Sequence, residues 1–322
     1  MTTTTKTLAA AALATLAAGA AQAQKWDMAL AYSATNYHSE IAAEFAQAVS
    51  DNTDLEIVTH PAGSLFGGAE IFGAVRRGLT PIGERLISAL GNDDAFYELD
   101  SVPFLATSFA DSRALYDASK PMLEQRLTDA GVHLLYSCPW PPQGFYSAEA
   151  VESLDDLQGL RFRAYNATTS RVAEELGMIP TTVEAAELQQ AFATGVAQSM
   201  ISSGSTGYDQ QLWEHVGHYY DVKAWLPRNM VIVNQGAWDD LDDATRGAIE
   251  TAAATAEETC WARAEELDGF YTDAFEERGM EVGELPEEVL AAFREAGDTL
   301  RAEWLERAGP DGQAVIDAYE SR

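Results

Sequence analysis

The chain has 322 residues and a formal net charge of -31, because 51 acidic side chains face only 20 basic ones. A field of this sign repels nucleic acids and anionic lipid surfaces, so the composition excludes both as main partners. An acidic chain with only four lysines is also typical of proteins that stay soluble at high salt, and we therefore expect a saline habitat.

The first 23 residues have the pattern of an export signal. Lys6 precedes a small and apolar run over residues 8–21, and the segment ends in Ala21-Gln22-Ala23. Signal peptidase cleaves after such small-x-small patterns, so we expect cleavage after Ala23 and a periplasmic mature protein. The run is shorter than the ~20 residues that a membrane-spanning helix needs. The remaining chain of about 300 residues is long enough for two ordinary domains.

Strand-like and helix-like segments alternate along the mature chain. The first unit predicts strand 26–31, helix 37–50, strand 55–59, helices 70–77 and 112–130, and strand 132–138. A second unit begins near Pro139 and predicts strand 160–164, helices 169–176 and 188–193, and strands 196–201 and 230–234. This order favours an α/β fold with a largely parallel sheet. A helix over 242–278 is longer than usual and could run along two lobes at once.

No catalytic constellation stands out in the sequence. There is no nucleophile elbow, Walker loop or dinucleotide fingerprint, and His215 and His218 lack the partners of a zinc site. We therefore expect no enzyme activity, no cofactor and no metal. Cys138 and Cys260 either form a disulfide in an oxidising compartment or remain two buried thiols, and their spacing leaves both possibilities open.

Short motifs are spread along most of the mature chain. They are residues 61–65 (PAGSL) with 70–71 (EI), 99–105 (LDSVPFL), 157–163 (LQGLRFR), Pro180, 187–188 (EL), 191–196 (AFATGV), and Asn234 with 237–241 (AWDDL). In order and spacing they resemble the solute receptors of tripartite ATP-independent periplasmic (TRAP) transporters, the DctP-type family.

The resemblance implies a two-lobed periplasmic-binding-protein fold of the α/β class, with a long C-terminal helix spanning both lobes. Lobe I would comprise residues 24–140 and about 230–268, and lobe II residues 141–229 and about 269–322. It also implies a monomeric receptor that closes around a small organic carboxylate and delivers it to a TRAP membrane permease driven by an ion gradient.

By this resemblance, the second arginine of the motif at 157–163, Arg163, pairs with the ligand carboxylate. A guanidinium presents a planar fork that matches a carboxylate; the alternative is a surface ion pair. Some relatives carry a further arginine twenty residues upstream, where this chain has Gln143. One cation plus an amide suits a monocarboxylate with a neighbouring oxo or hydroxy group. Ser202 and Ser203 stand where many relatives have an acidic or amide residue, which also speaks against a metal.

Aromatic side chains are dense near the expected cleft and favour an aromatic or apolar acid, although core packing is the alternative for each of them. The ligand-binding candidates of this kind are Trp140, Tyr165, Trp213 and Tyr37. From the first lobe, His38 at a helix start, Glu84 at a predicted strand end and Asn234 complete the candidates.

Two rival functions remain open, a sugar-acid receptor of the same family and a periplasmic enzyme that acts on a small acid. A receptor that serves a sensor kinase or an ATP-driven permease is a further possibility.

Overall fold

Two β-sheets with helices packed around them form the framework of this computed structural model, which describes residues 24–322. The predicted signal peptide, residues 1–23, lies outside the described residues. The strands are β1 Gln24–Ala29, β2 Leu55–His60, β3 Ile82–Leu86, β4 Val132–Pro139, β5 Gln143–Ser147, β6 Arg161–Ala164, β7 Ile179–Thr182, β8 Ser199–Ser203, β9 His218–Tyr220, β10 Arg228–Asn234 and β11 Glu281–Gly283. The helices are α1 Tyr37–Asn52, α2 Ile71–Arg76, α3 Phe109–Asp129, α4 Ala167–Glu175, α5 Leu188–Ala193, α6 Gly204–Asp209, α7 Gln235–Asp239, α8 Asp243–Glu277 and α9 Glu287–Glu320.

The carboxyl ends of several strands of both sheets face the gap between the two sheets. The first sheet has the order β2-β1-β3-β10-β4, and the second has the order β11-β9-β5-β8-β6-β7. The predicted parallel arrangement holds for β1 with its neighbours and for β6 with its neighbours. It is wrong for β10 and β5, which are antiparallel to the strands beside them. The chain reaches β5 directly from the first sheet and β10 directly from the second sheet. Each of these two strands therefore begins at the gap between the sheets.

The two connections between the sheets at this gap are hydrogen-bonded to each other. The Trp140 amide donates to the Pro227 carbonyl at 2.8 Å, and the Gln143 amide donates to the Trp225 carbonyl at 2.9 Å. The Ala224 amide returns a bond of 3.0 Å to the Gln143 carbonyl. A two-stranded ribbon therefore links the two sheets. The lobe boundaries given above stay a prediction.

Two long helices reach from one sheet to the other, which confirms the predicted long C-terminal helix. Helix α8 begins where the Asp242 side chain accepts from the Thr245 amide, an N-cap bond of 2.8 Å. Its Ile249 packs with the core of the first sheet and its Phe275 with the core of the second. Helix α9 runs the opposite way, because its Phe293 packs with the second sheet and its Trp304 with the first. Within residues 24–322, no helix combines the length and the apolar character needed to cross a membrane.

A disulfide ties helix α8 to the first sheet. Cys138 near the end of β4 bonds to Cys260 of α8, with Cα atoms 5.2 Å apart. Of the two possibilities that the sequence left open, the structure therefore has the bridge. It lies two residues before Trp140, where the chain leaves the first sheet for the second.

Candidate ligand-binding cleft

A cavity of about 440 Å³ lies in the gap between the two sheets. Its first wall comes from the loops after β1 and β2 and from β3, including Tyr32, Gly68 and Arg85. Its second wall comes from β5, β6 and β8, including Gln143 and Arg163. Open α/β sheets bind ligands at the carboxyl ends of their strands, and a cavity of this volume suits a small molecule.

Arg163 brings a buried positive charge to the second wall. Its side chain lines the cavity although the residue is only 3% exposed. The Nε–H donates to the Val183 carbonyl at 2.9 Å, and the guanidinium carbon lies 5.2 Å from the Tyr165 ring centre. Burial lowers the pKa of Arg163 to about 10, so the group remains charged at neutral pH. Among residues 24–322, no carboxylate oxygen lies within 4.0 Å of it. A buried cation without an anion is costly, and this cavity offers room for one.

A chain of hydrogen bonds fixes the ring beneath this guanidinium. Trp225 Nε1 donates to the Tyr165 hydroxyl at 3.0 Å, and that hydroxyl donates to Gln143 Oε1 at 3.1 Å. Gln143 Nε2 then donates to the Pro141 carbonyl at 3.1 Å. Because each group is held by the next, the Tyr165 ring has little freedom to move away from Arg163. Gln143 therefore supports this wall as well as lining the cavity.

Trp140 forms a flat part of the cavity wall and is held from behind. Its indole Nε1 donates to Asn229 Oδ1 at 2.8 Å, and Asn229 Nδ2 donates to Glu84 Oε1 at 3.0 Å. His38 Nδ1 lies 3.0 Å from the same Glu84 oxygen, and the His38 ring stacks on Trp140 at 4.0 Å. Burial lowers the pKa of His38, which favours its neutral form. The structure thus places His38 and Glu84 behind the wall and outside the cavity lining.

The two predicted serines line the cavity and differ in what they bond. Ser203 Oγ accepts from the Thr206 amide at 3.2 Å and so caps helix α6. Ser202 is buried, and its hydroxyl has no hydrogen-bond partner within residues 24–322. A ligand could use this free hydroxyl as a donor or an acceptor.

Three other candidates lie away from the cavity lining. The Tyr37 hydroxyl donates to the Pro139 carbonyl and supports the start of the crossing ribbon. Trp213 lies beneath Arg278, whose guanidinium carbon is 4.5 Å from its ring centre. Asn234 caps helix α7 by accepting from the Ala237 amide at 3.1 Å. Each of these side chains has a local structural partner.

The cavity also contains a charged pair that the sequence interpretation missed. Arg85 of β3 and Glu184, which follows β7, face each other across the gap. Arg85 Nη1 and Nη2 lie 3.4 and 3.5 Å from the two Glu184 carboxylate oxygens. Tyr32 and Glu187 were missed as well. No local pattern marks these residues, although Glu184 stands four positions after the Pro180 that contributed to the family resemblance.

Further bonds across the gap show that the two walls touch in this structure. Asn36 Nδ2 donates to Asp209 Oδ2 at 2.5 Å, and Asn166 Nδ2 donates to Ser88 Oγ at 2.9 Å. Burial raises the pKa of Asp209 to about 6. The molecule is therefore in a closed arrangement around the cavity. In the described part of the chain, no group of three His, Cys, Asp or Glu side chains is placed to hold a metal.

Two sheets with helices packed around them, a ribbon that links them and a cavity lined by a buried cation define a two-lobed solute-binding protein. The chain belongs to the family described as bacterial extracellular solute-binding protein, family 7 (DctP), which matches residues 29–307. The predicted DctP-type receptor class and α/β fold are thereby confirmed.

Relatives by sequence and by structure agree with this family. The ectoine/5-hydroxyectoine-binding periplasmic protein UehA of Ruegeria pomeroyi is 25% identical over 96% of this chain and 93% of its own length. A TRAP solute-binding protein from a marine metagenome, specific for pyroglutamate, is 48% identical with a TM-score of 0.92, covering 94% of this chain and 100% of that chain. The Bordetella pertussis receptor DctP6, which binds pyroglutamic acid, is 42% identical with a TM-score of 0.90, covering 93% and 100%. These relatives are binding proteins rather than enzymes.

Proposed function

We propose that this protein is a periplasmic receptor that binds pyroglutamate between its two sheets and delivers it to a TRAP permease. The observation that carries the proposal is the buried guanidinium of Arg163, which lines the cavity with no carboxylate of residues 24–322 within 4.0 Å of it. The two pyroglutamate-binding relatives, at 48% and 42% identity, support the choice of ligand. Export would follow from the signal-like segment at residues 1–23.

Pyroglutamate fits the chemistry of the lining residues. It carries one carboxylate, which would accept two hydrogen bonds from Arg163. Its lactam ring offers one N–H donor and one carbonyl acceptor, and the Ser202 hydroxyl is free to bond either of them. The ring itself is flat and partly apolar, so it would pack against Trp140. The ligand in this proposal is a monocarboxylate, but it is not aromatic, and the carbon that bears its carboxylate adjoins the lactam N–H and not an oxo or hydroxy group.

Binding would favour the closed arrangement by a difference in contacts. In an open form, a ligand on the second wall would touch Arg163 without reaching the first wall. Closure adds ligand contacts from the first wall, such as Tyr32. Because the added contacts exist only in the closed form, the ligand shifts the population towards it. A permease that recognises the closed form would then receive loaded receptors.

A ligand screen tests the proposal directly. The mature chain would be refolded to remove any co-purified ligand and titrated with L-pyroglutamate, ectoine, D-galacturonate and glutarate by calorimetry at high salt. We expect pyroglutamate to bind most tightly and to raise Tm most, because a ligand of the folded state stabilises it by mass action. Tight binding of ectoine or galacturonate with no heat from pyroglutamate would replace the proposed ligand. Recovery of unchanged pyroglutamate after denaturation is the expected result for a receptor, whereas a product would favour an enzyme.

Delivery to a permease needs a separate measurement. The permease would be reconstituted in lipid vesicles, and uptake of labelled pyroglutamate would be followed with an imposed ion gradient. Uptake is expected only with the receptor present, and the Arg163→Ala variant is the matched control. Receptor-independent uptake, or uptake that requires ATP, would contradict the TRAP assignment.

A further inference from the structure

The Arg85–Glu184 pair is the contact in the cavity that joins opposite charges from the two walls. Both nitrogen ends of the Arg85 guanidinium face both Glu184 oxygens, at 3.4 and 3.5 Å. Arg85 is largely buried, with 10% of its side chain exposed, whereas 40% of the Glu184 side chain is exposed. Glu184 therefore supplies the anion that a buried arginine requires.

Close packing around the pair indicates a built arrangement. Gly68 lies against both partners, and a Cβ atom placed on it would be 2.9 Å from Glu184 Oε2 and 3.0 Å from Arg85 Nη1. These separations are shorter than ordinary van der Waals contacts. A side chain at this position would push the two groups, so glycine here permits their approach.

The two cavity arginines thus differ in what the protein provides for them. Arg163 has no carboxylate within salt-bridge distance in the described chain, whereas Arg85 is neutralised by Glu184. A monocarboxylate needs one free cation. A dicarboxylate of similar length would need a second one, and it would meet the negative charge of Glu184 at the position where Arg85 lies.

We infer that Glu184 is a specificity-determining residue, which occupies Arg85 so that the closed cavity accepts one carboxylate and rejects a second. The inference deepens the proposed function and rests on it. Specificity here arises from a repulsive element as well as from an attractive one, because Glu184 blocks Arg85 and also opposes an incoming anion. Removing its charge leaves Arg85 buried and without an anion, a state that a second ligand carboxylate relieves.

A rival role for the pair is a latch that only holds the walls together. A latch contributes to closure whatever ligand is inside, so its loss weakens all ligands by the same factor. The ratio of two dissociation constants is unaffected by such a common factor. Discrimination between a monocarboxylate and a dicarboxylate therefore separates the two roles.

The test measures Kd for L-pyroglutamate and for glutarate with wild type, Glu184→Gln, Arg85→Gln and the double variant. For Glu184→Gln we expect glutarate to gain at least about tenfold relative to pyroglutamate, a change of about 1.4 kcal/mol or more. The double variant should not show this gain, because the gain requires an Arg85 side chain that is present and unpaired. An unchanged ratio in Glu184→Gln, or a gain that persists in the double variant, would overturn the inference.

A neighbouring carboxylate provides the matched control. Glu187 also lines the cavity and pairs with no cation in the described residues, so Glu187→Gln removes the same charge without freeing Arg85. It should raise the relative affinity for glutarate less than Glu184→Gln does, because Arg85 stays paired, and an equal gain would mean that total charge sets the preference. If the wild-type protein binds no pyroglutamate, the proposed function and this inference fall together. If it binds pyroglutamate and the ratio does not change in Glu184→Gln, only the inference fails.

Discussion

Burying a charged arginine is costly unless other groups compensate its charge, and the two cavity arginines are compensated to different degrees. Arg85 has Glu184 at 3.4 Å, whereas Arg163 has a carbonyl and a tyrosine ring. The neutral groups orient the Arg163 guanidinium without cancelling its charge. At the residue scale, we expect the site to attract an anion because of that incomplete neutralisation.

Replacing Arg163 with alanine should therefore abolish tight binding. Loss of a desolvated charged partner typically costs about 2–5 kcal/mol, so we expect Kd for pyroglutamate to rise by about 30-fold or more in calorimetry. Arg163→Lys keeps the charge but loses the planar fork, and it should retain only part of the affinity. Micromolar or tighter binding by Arg163→Ala would remove this residue from the centre of the site.

The tyrosine beneath Arg163 should act through its hydroxyl. Tyr165→Phe keeps the ring but breaks the bonds to Trp225 and Gln143, of 3.0 and 3.1 Å. Each buried hydrogen bond contributes about 1 kcal/mol, and Trp225 and Gln143 would each lose the Tyr165 hydroxyl as a partner. We therefore expect a lower Tm and about tenfold weaker binding. Tyr165→Ala should bind more weakly still. Wild-type affinity in Tyr165→Phe would show that this hydrogen-bond chain does not position the guanidinium.

At the scale of elements, two antiparallel strands and two long helices connect the sheets. Strands β10 and β5 enter from the gap, and their ends form the ribbon at Trp140 to Gln143. Helices α8 and α9 each pack on both cores. The ribbon and the two long helices therefore connect the sheets at separate places.

The disulfide should stabilise this connection. Cys138 and Cys260 are 122 positions apart, and a bridge that closes so long a loop removes much conformational entropy from the unfolded chain. The double variant Cys138→Ser and Cys260→Ser should lose about 2–4 kcal/mol of unfolding free energy, measured by urea titration. Pyroglutamate affinity should change little, because the bridge lies outside the cavity lining. Equal stability of wild type and variant would contradict this expectation.

At the scale of the whole molecule, closure places Asp209 in a buried position beside Asn36. Burial raises its pKa from 3.8 to about 6, so the closed form takes up a proton more readily than the unfolded chain does. The cost of burying the ionised carboxylate is therefore fully present well above pH 6, decreases as the pH falls from 6 to 3.8, and is gone below that range. Closing and folding should become more favourable over that range.

Asp209→Asn tests this linkage. The amide cannot ionise, so the variant should be more stable than wild type at pH 8, by up to about 3 kcal/mol at 1.36 kcal/mol per pKa unit. The difference should shrink as the pH falls below 6 and vanish at about pH 3, where Asp209 is protonated in both states. Burial also raises the pKa of Asp100 to about 6. Asp100 is present in both proteins, so its contribution cancels in the stability difference between wild type and variant. A difference in Tm that does not depend on pH would exclude Asp209 as the titrating group.

The net charge of -31 also acts on the molecule as a whole. Repulsion among carboxylates opposes the compact state and repels an anionic ligand, and both effects weaken when salt shortens the Debye length to about 3 Å at 1 M. We expect Tm to rise between low salt and molar NaCl. The association rate of pyroglutamate should rise over the same range of salt concentration. A protein of balanced charge serves as the control. A Tm that does not rise with salt would count against the expected saline habitat.

The sequence by itself determined the receptor class, the α/β alternation and the position of Arg163. These depend on short-range patterns, since helix periodicity, glycine stops and the motif at 157–163 each lie within a few residues of one another. The sequence did not distinguish polar residues that line the cavity from polar residues that support it. His38 and Glu84 are chemically suitable ligands, yet they lie behind Trp140.

Only the tertiary structure decided which distant side chains meet. Arg85 and Glu184 are 99 positions apart, and Cys138 and Cys260 are 122 apart. In a chain with 51 acidic residues, any arginine has many possible partners, and local spacing does not select one. The selection comes from the crossing of the chain between two sheets, which brings β3 opposite the end of β7. Pairing across the cavity is therefore a property of the closed fold, whereas the residue types that make it possible are present in the sequence.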